Sequence, residues 1–399
     1  MSKLKFFAGL LLYKIAPIKK HRFVFTSLNG HYSDHPKYIC NALHNEDTSI
    51  EMIWLTDEKY RSQLPSWVKW YDIHSLAAEW IRGSAKALVD NVYCEKAYTV
   101  FASEKHASFK SKIYCFLRDK RNQNAYTTFH GIGMKRIGRD QIGNDVIDFV
   151  CPHTTMFLGS DYAIHIMKHV TFNKMKMVLI GSPRNDILFQ PSITSMLRNK
   201  LQLPQDKKIL LYAPTFRNDG KDVEGKNVRR SGLEQLKQMD FERLFCSLSA
   251  KFGGDWVMVC RFHYHVAQMV DWEQLNIKYP GKFINGNLHD DMAEYLACTD
   301  ILITDASTSS FDFALTGKPC FLFFPDYDEY CNNERGFYTP LEELPFPLSI
   351  TFNELMVCIE QFDTVIYEKN IAAMLKQFNV VDDENSSKRI AKYLLEECK

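Results

Sequence analysis

Short, unbroken runs of apolar, β-branched and aromatic residues alternate with helix-like segments over nearly the whole chain. The first series is HRFVFTSL (21–28), IEMIWLT (50–56), KALVDNV (86–92), AYTTFH (125–130), VIDFVC (146–151) and KMVLIG (176–181). The second is KILLYAPT (208–215), DWVMVCRFH (255–263), GKFING (281–286), DILITD (300–305) and CFLFFP (320–325). Continuous apolar strands separated by helices predict parallel sheets covered on both faces. The polar break, short helical pattern and Pro204 of QPSITSMLRNKLQLPQDKK (190–208) divide the two series. The expectation is an α/β chain of two doubly wound domains, 23–190 and 205–399, facing each other across a central cleft, with ligands at the carboxyl ends of the strands. The loop 217–232 is polar and Gly-containing, and no repeat of 20–50 residues occurs.

Composition agrees with two globular domains. The 399 residues are 46% hydrophobic and 13% aromatic, and the net charge of +1 names no partner. Eleven cysteines without a C-x-x-C pair read as reduced thiols, not as a disulfide framework or zinc site. The opening MSKLKFFAGLLLYKIAPIKKHR (1–22) is basic without an acidic residue, and its apolar core is too short to span a bilayer. With no small-x-small cleavage site, it reads as a basic amphipathic helix on an anionic membrane surface, or as a first helix packed on its own domain. The two readings are compatible.

Unusual polar residues follow five of the runs. His130-Gly131-Ile132-Gly133 ends one, with Lys135, Arg136 and Arg139 close behind; SPRND (182–186) follows another. Thr215 and Arg217 come after ILLYAP, Arg261 and His263 end VMVC, and Asp305 opens the turn that carries Ser307, Thr308, Ser309 and Ser310 before Asp312. A hydroxyl-rich turn opening a helix suits a phosphate, through free N–H groups and the helix dipole. The pattern is neither G-x-G-x-x-G nor a P-loop. His165 and His169 lack the glutamate of a zinc motif and read as an exposed helix face. The basic run from Lys105 to Arg121 reads as a solvated face or as a landing surface for a polyanionic acceptor, and no nucleic-acid module accompanies it.

In order along the chain, LNGHYSDHPKYICNAL, FHGIGMKRIGRD, GSPRND, LLYAPTFRND, CRFHYHVA, DILITDASTSSFDFALTGKPCFLF and RGFY (335–338, opening on Arg335) resemble the motifs of the CDP-glycerol glycerophosphotransferases of teichoic acid and capsule synthesis. Four departures stand in these motifs: Ile132-Gly133 for Thr-Pro, Ala306 for Tyr, Thr308 for Ser, and His35 where Asn is common.

The resemblance implies a GT-B-like fold, two Rossmann-like domains with an N-terminal acceptor side and a C-terminal nucleotide side. It implies attack of an acceptor hydroxyl on the glycerol-bearing phosphorus of CDP-glycerol, with loss of CMP and no tightly bound cofactor or metal. A hydroxyl nucleophile needs a base that titrates near neutrality, which assigns His130, with His263 as the second histidine. Charge on the pyrophosphate falls to Thr215, Arg217, Arg261, His263 and the Asp305–Asp312 turn. Gly131 and Gly133 admit the acceptor, with Lys135, Arg136 and Arg335 supplying positive potential. Asp312 either orients a histidine or caps its helix. The implied partners are a lipid-linked or polyol-phosphate acceptor and the inner face of the cell membrane, without nucleic acid. Rival readings are a CDP-ribitol or sugar-nucleotide transferase of the same fold, or a silent membrane-associated scaffold.

Overall fold

The computed structural model describes residues 3–91, 98–101, 117, 120, 122–131, 133–140, 146–150, 154–170, 175–215, 233–262, 264–333 and 336–398. It divides into two units: Met1–Gly131, Gly138–Asp186 and Phe378–Lys399 form the first, Ile132–Ile137 and Ile187–Gln377 the second. The terminal stretch 378–399, grouped with the second domain in the sequence reading, packs on the first.

The first unit is built on β1 (Lys19–Phe25), β2 (Glu51–Thr56), β3 (Lys69–Asp72), β4 (Ala85–Asp90), β6 (Asn124–Thr127), β8 (Thr154–Leu158) and β9 (Lys176–Leu179), in the order β3-β2-β1-β4-β6-β8-β9. Every pairing in this sheet is parallel. Alternation sends the two faces of each strand into different cores. Phe23, Phe25 and Trp54 pack with Ile39 and Leu43 of the helix Asp34–Glu46 and with Ile390, Ala391 and Leu394 of the last helix, Ser386–Glu397. Val24, Ile53 and Leu55 pack under Ala78 and Ile81 of the helix Leu76–Ser84. Apolar runs without a polar face are what this double cover demands.

One expected strand lies elsewhere. Val146–Val150, as β7, pairs antiparallel with β5 (Tyr98–Phe101) in a separate two-stranded sheet. Its run carries Asp148 at the centre, and a carboxylate there is costly in a strand covered on both faces. Four strands carried no clear signal. KWYD of β3 is an edge strand, β5 and the two-residue β15 (Leu348–Ser349) are short, and TTMFL of β8 follows the VIDFVC run closely enough to merge with it.

The last helix is held to the first unit by polar contacts as well as by its apolar face. The Asp186 carboxylate accepts from the Ser386 and Ser387 amides at 3.0 and 2.8 Å, capping the helix where its dipole is positive. Asp382 accepts from the Ser182 amide at 2.9 Å and from Asn185 at 3.2 Å. Asn185 and Asp186 of the SPRND segment are therefore anchors for the returning chain.

The N-terminal helix, Lys3–Ile15, buries Leu10 and Tyr13, and Ala16 just beyond it is buried too. A Cβ on Gly83 would lie 2.2 Å from the Tyr13 carbonyl oxygen, so this approach of the helix Leu76–Ser84 to the N-terminal helix requires a glycine. Lys120, from the basic run, donates to the carbonyls of Tyr13 (2.9 Å), Ala16 (2.5 Å) and Gly83 (2.6 Å), closing the C-terminal ends of both helices. The rest of that run between 105 and 121, apart from residue 117, lies outside the described residues, as does the loop 217–232.

The second unit places β10 (Lys208–Tyr212), β11 (Trp256–Cys260), β12 (Phe283–Asn285), β13 (Ile301–Thr304), β14 (Cys320–Phe323) and β15 in the order β12-β11-β10-β13-β14-β15. All of these pairs are parallel. Counted within the unit the order is 3-2-1-4-5-6, that of the dinucleotide-binding folds, and the strand order reverses between β10 and β13. The first sheet follows the same rule and reverses between β1 and β4.

Candidate functional site

In the second unit, the reversal between β10 and β13 splays the chain apart at their carboxyl ends, where Ala213–Thr215 and Asp305–Ser310 emerge. Two bonds tie these segments together. The Thr304 hydroxyl donates to the Ala213 carbonyl at 2.6 Å, and the Asp305 carboxylate, fully buried, accepts from the Thr215 amide at 2.7 Å. Beyond Asp305 the hydroxyls form their own lattice. Ser307 and Ser309 hydroxyls lie 2.7 Å apart, and Ser310 donates to the Ser307 carbonyl at 2.8 Å. Thr308 precedes the helix Ser309–Ala314, and Asp312 sits inside its first turn, so the capping role considered for Asp312 does not apply. Thr215, Asp305 and the Ser307–Ser310 turn thus meet at the switch point of one sheet, where such folds bind ligands.

Residues 133–137 belong to this same unit and line its edge. A Cβ on Gly133 would lie 2.8 Å from the Thr308 methyl, so the glycine admits a close packing of its own backbone against that turn. Lys135 bridges Phe337, the Arg136 amide donates to the Gly336 carbonyl at 3.2 Å, and the Tyr338 amide to the Met134 carbonyl at 2.8 Å. The segments MKRI and GFY form one clip. Arg136 is exposed, with its Nε donating to the Phe337 carbonyl at 3.1 Å.

Arg261 is placed differently from the sequence expectation of a phosphate ligand. Its Nη1 donates to the carbonyls of Gly286 (2.6 Å) and His289 (2.5 Å), and its Nη2 to that of Asp290 (2.6 Å). The guanidinium holds the loop that follows β12, and burial lowers its pKa from the usual arginine value. Arg217, His263 and Arg335 lie outside the described residues. His165 and His169 are exposed on the helix Asp161–Val170, as expected, with His169 Nδ1 3.0 Å from Asp140.

In the first unit, His130 comes three residues after β6 and is exposed. Its turn is fixed by Phe129 in the left-handed region (φ 55°) and by Gly131 at φ 127°, which a side chain would strain. Beneath it lies a buried polar network that sequence reasoning missed. Arg184 Nη1 donates to Asp34 Oδ1 at 2.9 Å and to the His130 carbonyl at 3.0 Å. Asn91, just past β4, donates to Asp34 Oδ2 at 2.5 Å, bridging the reversal between β1 and β4. The His35 amide donates to Asp34 Oδ1 at 2.8 Å, and His35 Nδ1 accepts from the Arg184 amide at 3.4 Å. Burial alone would raise the Asp34 pKa, but Arg184 and His35 outweigh it and hold the carboxyl at about 2. Burial, with Arg184 and His130 adding to it against Asp34, pushes His35 down to about 3, so its imidazole is neutral and free to accept.

With this geometry in place, comparison with known proteins identifies the family. Residues 10–396 match the family described as CDP-Glycerol:Poly(glycerophosphate) glycerophosphotransferase. The chain belongs to it. A teichoic acid poly(glycerol phosphate) polymerase of Staphylococcus epidermidis is 27% identical over 96% of this chain, and the chain covers 51% of that protein. A polymerase of the same description from Bacillus spizizenii is 26% identical over 96% of this chain and 93% of its own length. The chain therefore spans about half the length of some curated relatives and nearly all of others. A solved structure of the wall teichoic acid polymerase TagF superposes with a TM-score of 0.76 at 24% identity, covering 98% of this chain and 93% of that one. That likeness shows the fold, the α/β, GT-B-like class expected from the motifs.

Within this chain the missed residues had a partial signal. SPRND and the segment around Asp34 and His35 stood among the ordered motifs, but nothing in either said that they meet.

Stability should therefore depend on pH. Between about pH 6.5 and 3 the unfolded chain binds a proton on His35 that the folded chain refuses, so stability falls as pH falls, by at most about 1.4 kcal/mol per pH unit. Asp34 adds loss in the same direction between about 3.8 and 2. Thermal melts should show a lower Tm at pH 5 than at pH 7, with the difference reduced in His35→Gln. An equal pH dependence in both proteins would show that His35 is not held neutral.

Proposed function

We propose that this chain transfers the glycerol phosphate of CDP-glycerol to a hydroxyl of a polyol-phosphate or lipid-linked acceptor and releases CMP. The observation that carries this reading is the convergence of Thr215, Asp305 and the Ser307–Ser310 hydroxyls at the switch point of the second sheet, in a chain of this family.

The chemistry follows from the groups available. The acceptor oxygen attacks the glycerol-bearing phosphorus, the bond from that phosphorus to the bridging oxygen breaks, and CMP leaves with the electron pair as a phosphate. His130 takes the hydroxyl proton, which an imidazole does well near neutral pH. The Ser307–Ser310 hydroxyls and nearby backbone amides donate to the pyrophosphate, and Lys135 and Arg136 add positive potential as charge grows on the leaving group. Asp305 fixes the Thr215 backbone, while Arg261 shapes the neighbouring loop.

The acceptor is met at the inner face of the cell membrane. Phe7, Leu11 and Ile15 are 54, 57 and 63% exposed and four residues apart, so they form one apolar stripe on the helix that buries Tyr13. Lys5, Lys14, Lys19 and Lys20 lie on the same acid-free segment, a combination suited to anionic lipid. No helix among the described residues is long and apolar enough to cross a membrane.

Two measurements test these statements. Purified protein offered CDP-glycerol, CDP-ribitol and UDP-sugars should release CMP from CDP-glycerol in an acceptor-dependent way, and His130→Ala should lower kcat by about 100-fold or more with donor affinity retained. Turnover of CDP-ribitol or a UDP-sugar instead would discard the donor assignment, and near-full activity of His130→Ala would discard the base. Sedimentation with anionic vesicles should fall at least several-fold in Phe7→Ser/Leu11→Ser/Ile15→Ser; unchanged sedimentation would leave the helix with a packing role only. Deletion of 1–22 is a poor substitute, since it removes Arg22, which is buried in β1 against Glu51 and Ser84.

A further inference from the structure

Four described residues other than glycine have positive φ: Asp34, Phe129, Gln202 and Asn379. Gln202 and Asn379 follow the helices Thr194–Lys200 and Thr364–Gln377 by two residues, where left-handed backbone is an ordinary way to stop a helix. Asp34 (φ 58°) and Phe129 (φ 55°) have no such explanation. Each conformation costs on the order of 1 kcal/mol or more; Asp34 sits in a hydrogen-bonded network, and Phe129 immediately precedes the residue whose carbonyl that network grips.

The network has a direction. Asn91 is fully buried and fixes Asp34 through Oδ2; Asp34 fixes Arg184 through Oδ1; Arg184 fixes the His130 carbonyl. Four carboxyl-edge segments, those after β1, β4, β6 and β9, are joined in this way. The chain ends at the backbone of an exposed histidine, and the Phe129 ring lies 4.3 Å from its imidazole. A network serving only to close the core would have no reason to grip the carbonyl of an exposed residue that follows a left-handed turn.

We propose that Arg184, held by Asp34, is a positioning residue for His130: by gripping the carbonyl it fixes the backbone from which the imidazole projects. The proposal rests on the assignment of His130 as the base. Arg184 suits the task because a planar guanidinium donates in fixed directions, so one group is bound to carboxylate and carbonyl together. Proton transfer demands this precision, since a displacement of about 1 Å costs about 100-fold in rate.

Steady-state kinetics of Arg184→Gln and Arg184→Lys, each alone and combined with His130→Ala, make the test. Arg184→Lys keeps the positive charge beside Asp34 and guards against loss of the fold, which thermal melting checks. Both should lower kcat 10- to 100-fold with KM for CDP-glycerol changed less than about twofold, and neither should lower the residual rate of His130→Ala further. Where that residual rate is below detection, the imidazole carbon–proton NMR signal of His130, assigned by its absence in His130→Ala, decides: it should shift in Arg184→Gln while that of His165 stays. Unchanged kcat, an equal loss in both backgrounds, or an unmoved His130 signal would overturn the proposal. Full activity of His130→Ala would instead overturn the base assignment beneath it, so the two failures are told apart.

Discussion

In a parallel sheet every strand delivers the chain to the same edge, and where the strand order reverses, the two outgoing segments leave in opposite directions. The two large sheets of this chain are parallel throughout, and each reverses once, between β1 and β4 and between β10 and β13. The chemistry of the molecule depends on this constraint. At the first reversal Asn91 bridges to Asp34, and at the second Asp305 bridges to the Thr215 backbone. In both, a carboxylate accepts from a donor on the opposite side of the split, which ties the two segments together across the gap in the sheet.

The motifs divide their labour within this frame. In SPRND, Asn185 and Asp186 bind the returning C-terminal segment, while Arg184 turns to Asp34 and the His130 carbonyl. The segment after His130 is divided in a similar way. Gly131 takes a backbone conformation that suits glycine, and Gly133 packs against Thr308 at a distance no side chain would permit. MKRI then clips to GFY through backbone bonds, so two motifs 200 residues apart form one piece of the second unit. Thr308 and Gly133, two of the positions where the chain departs from the motifs it resembles, lie against each other.

Much of this architecture was legible because parallel strands buried on both faces leave continuous apolar runs, and eleven such runs mark eleven strands. Val146–Val150 kept its strand but lost its sheet, pairing antiparallel with Tyr98–Phe101 instead. His130 was legible as a histidine between a strand and two glycines. Arg184 and Asp34 were not, because their meaning lies in a contact across 150 positions of sequence. The last helix was equally hidden. Its amphipathic pattern declares a helix, but only the Asp186 cap and the core around Phe23 show which unit it covers.

The central claim is that the donor pyrophosphate is held at the β10/β13 reversal. A crystal structure of His130→Ala soaked with CDP-glycerol addresses it directly. Both phosphorus atoms should lie beside the Thr215 backbone and the Ser307–Ser310 hydroxyls. Ordered donor with its phosphates elsewhere, at the β1/β4 reversal or along the loop that Arg261 holds, would contradict it.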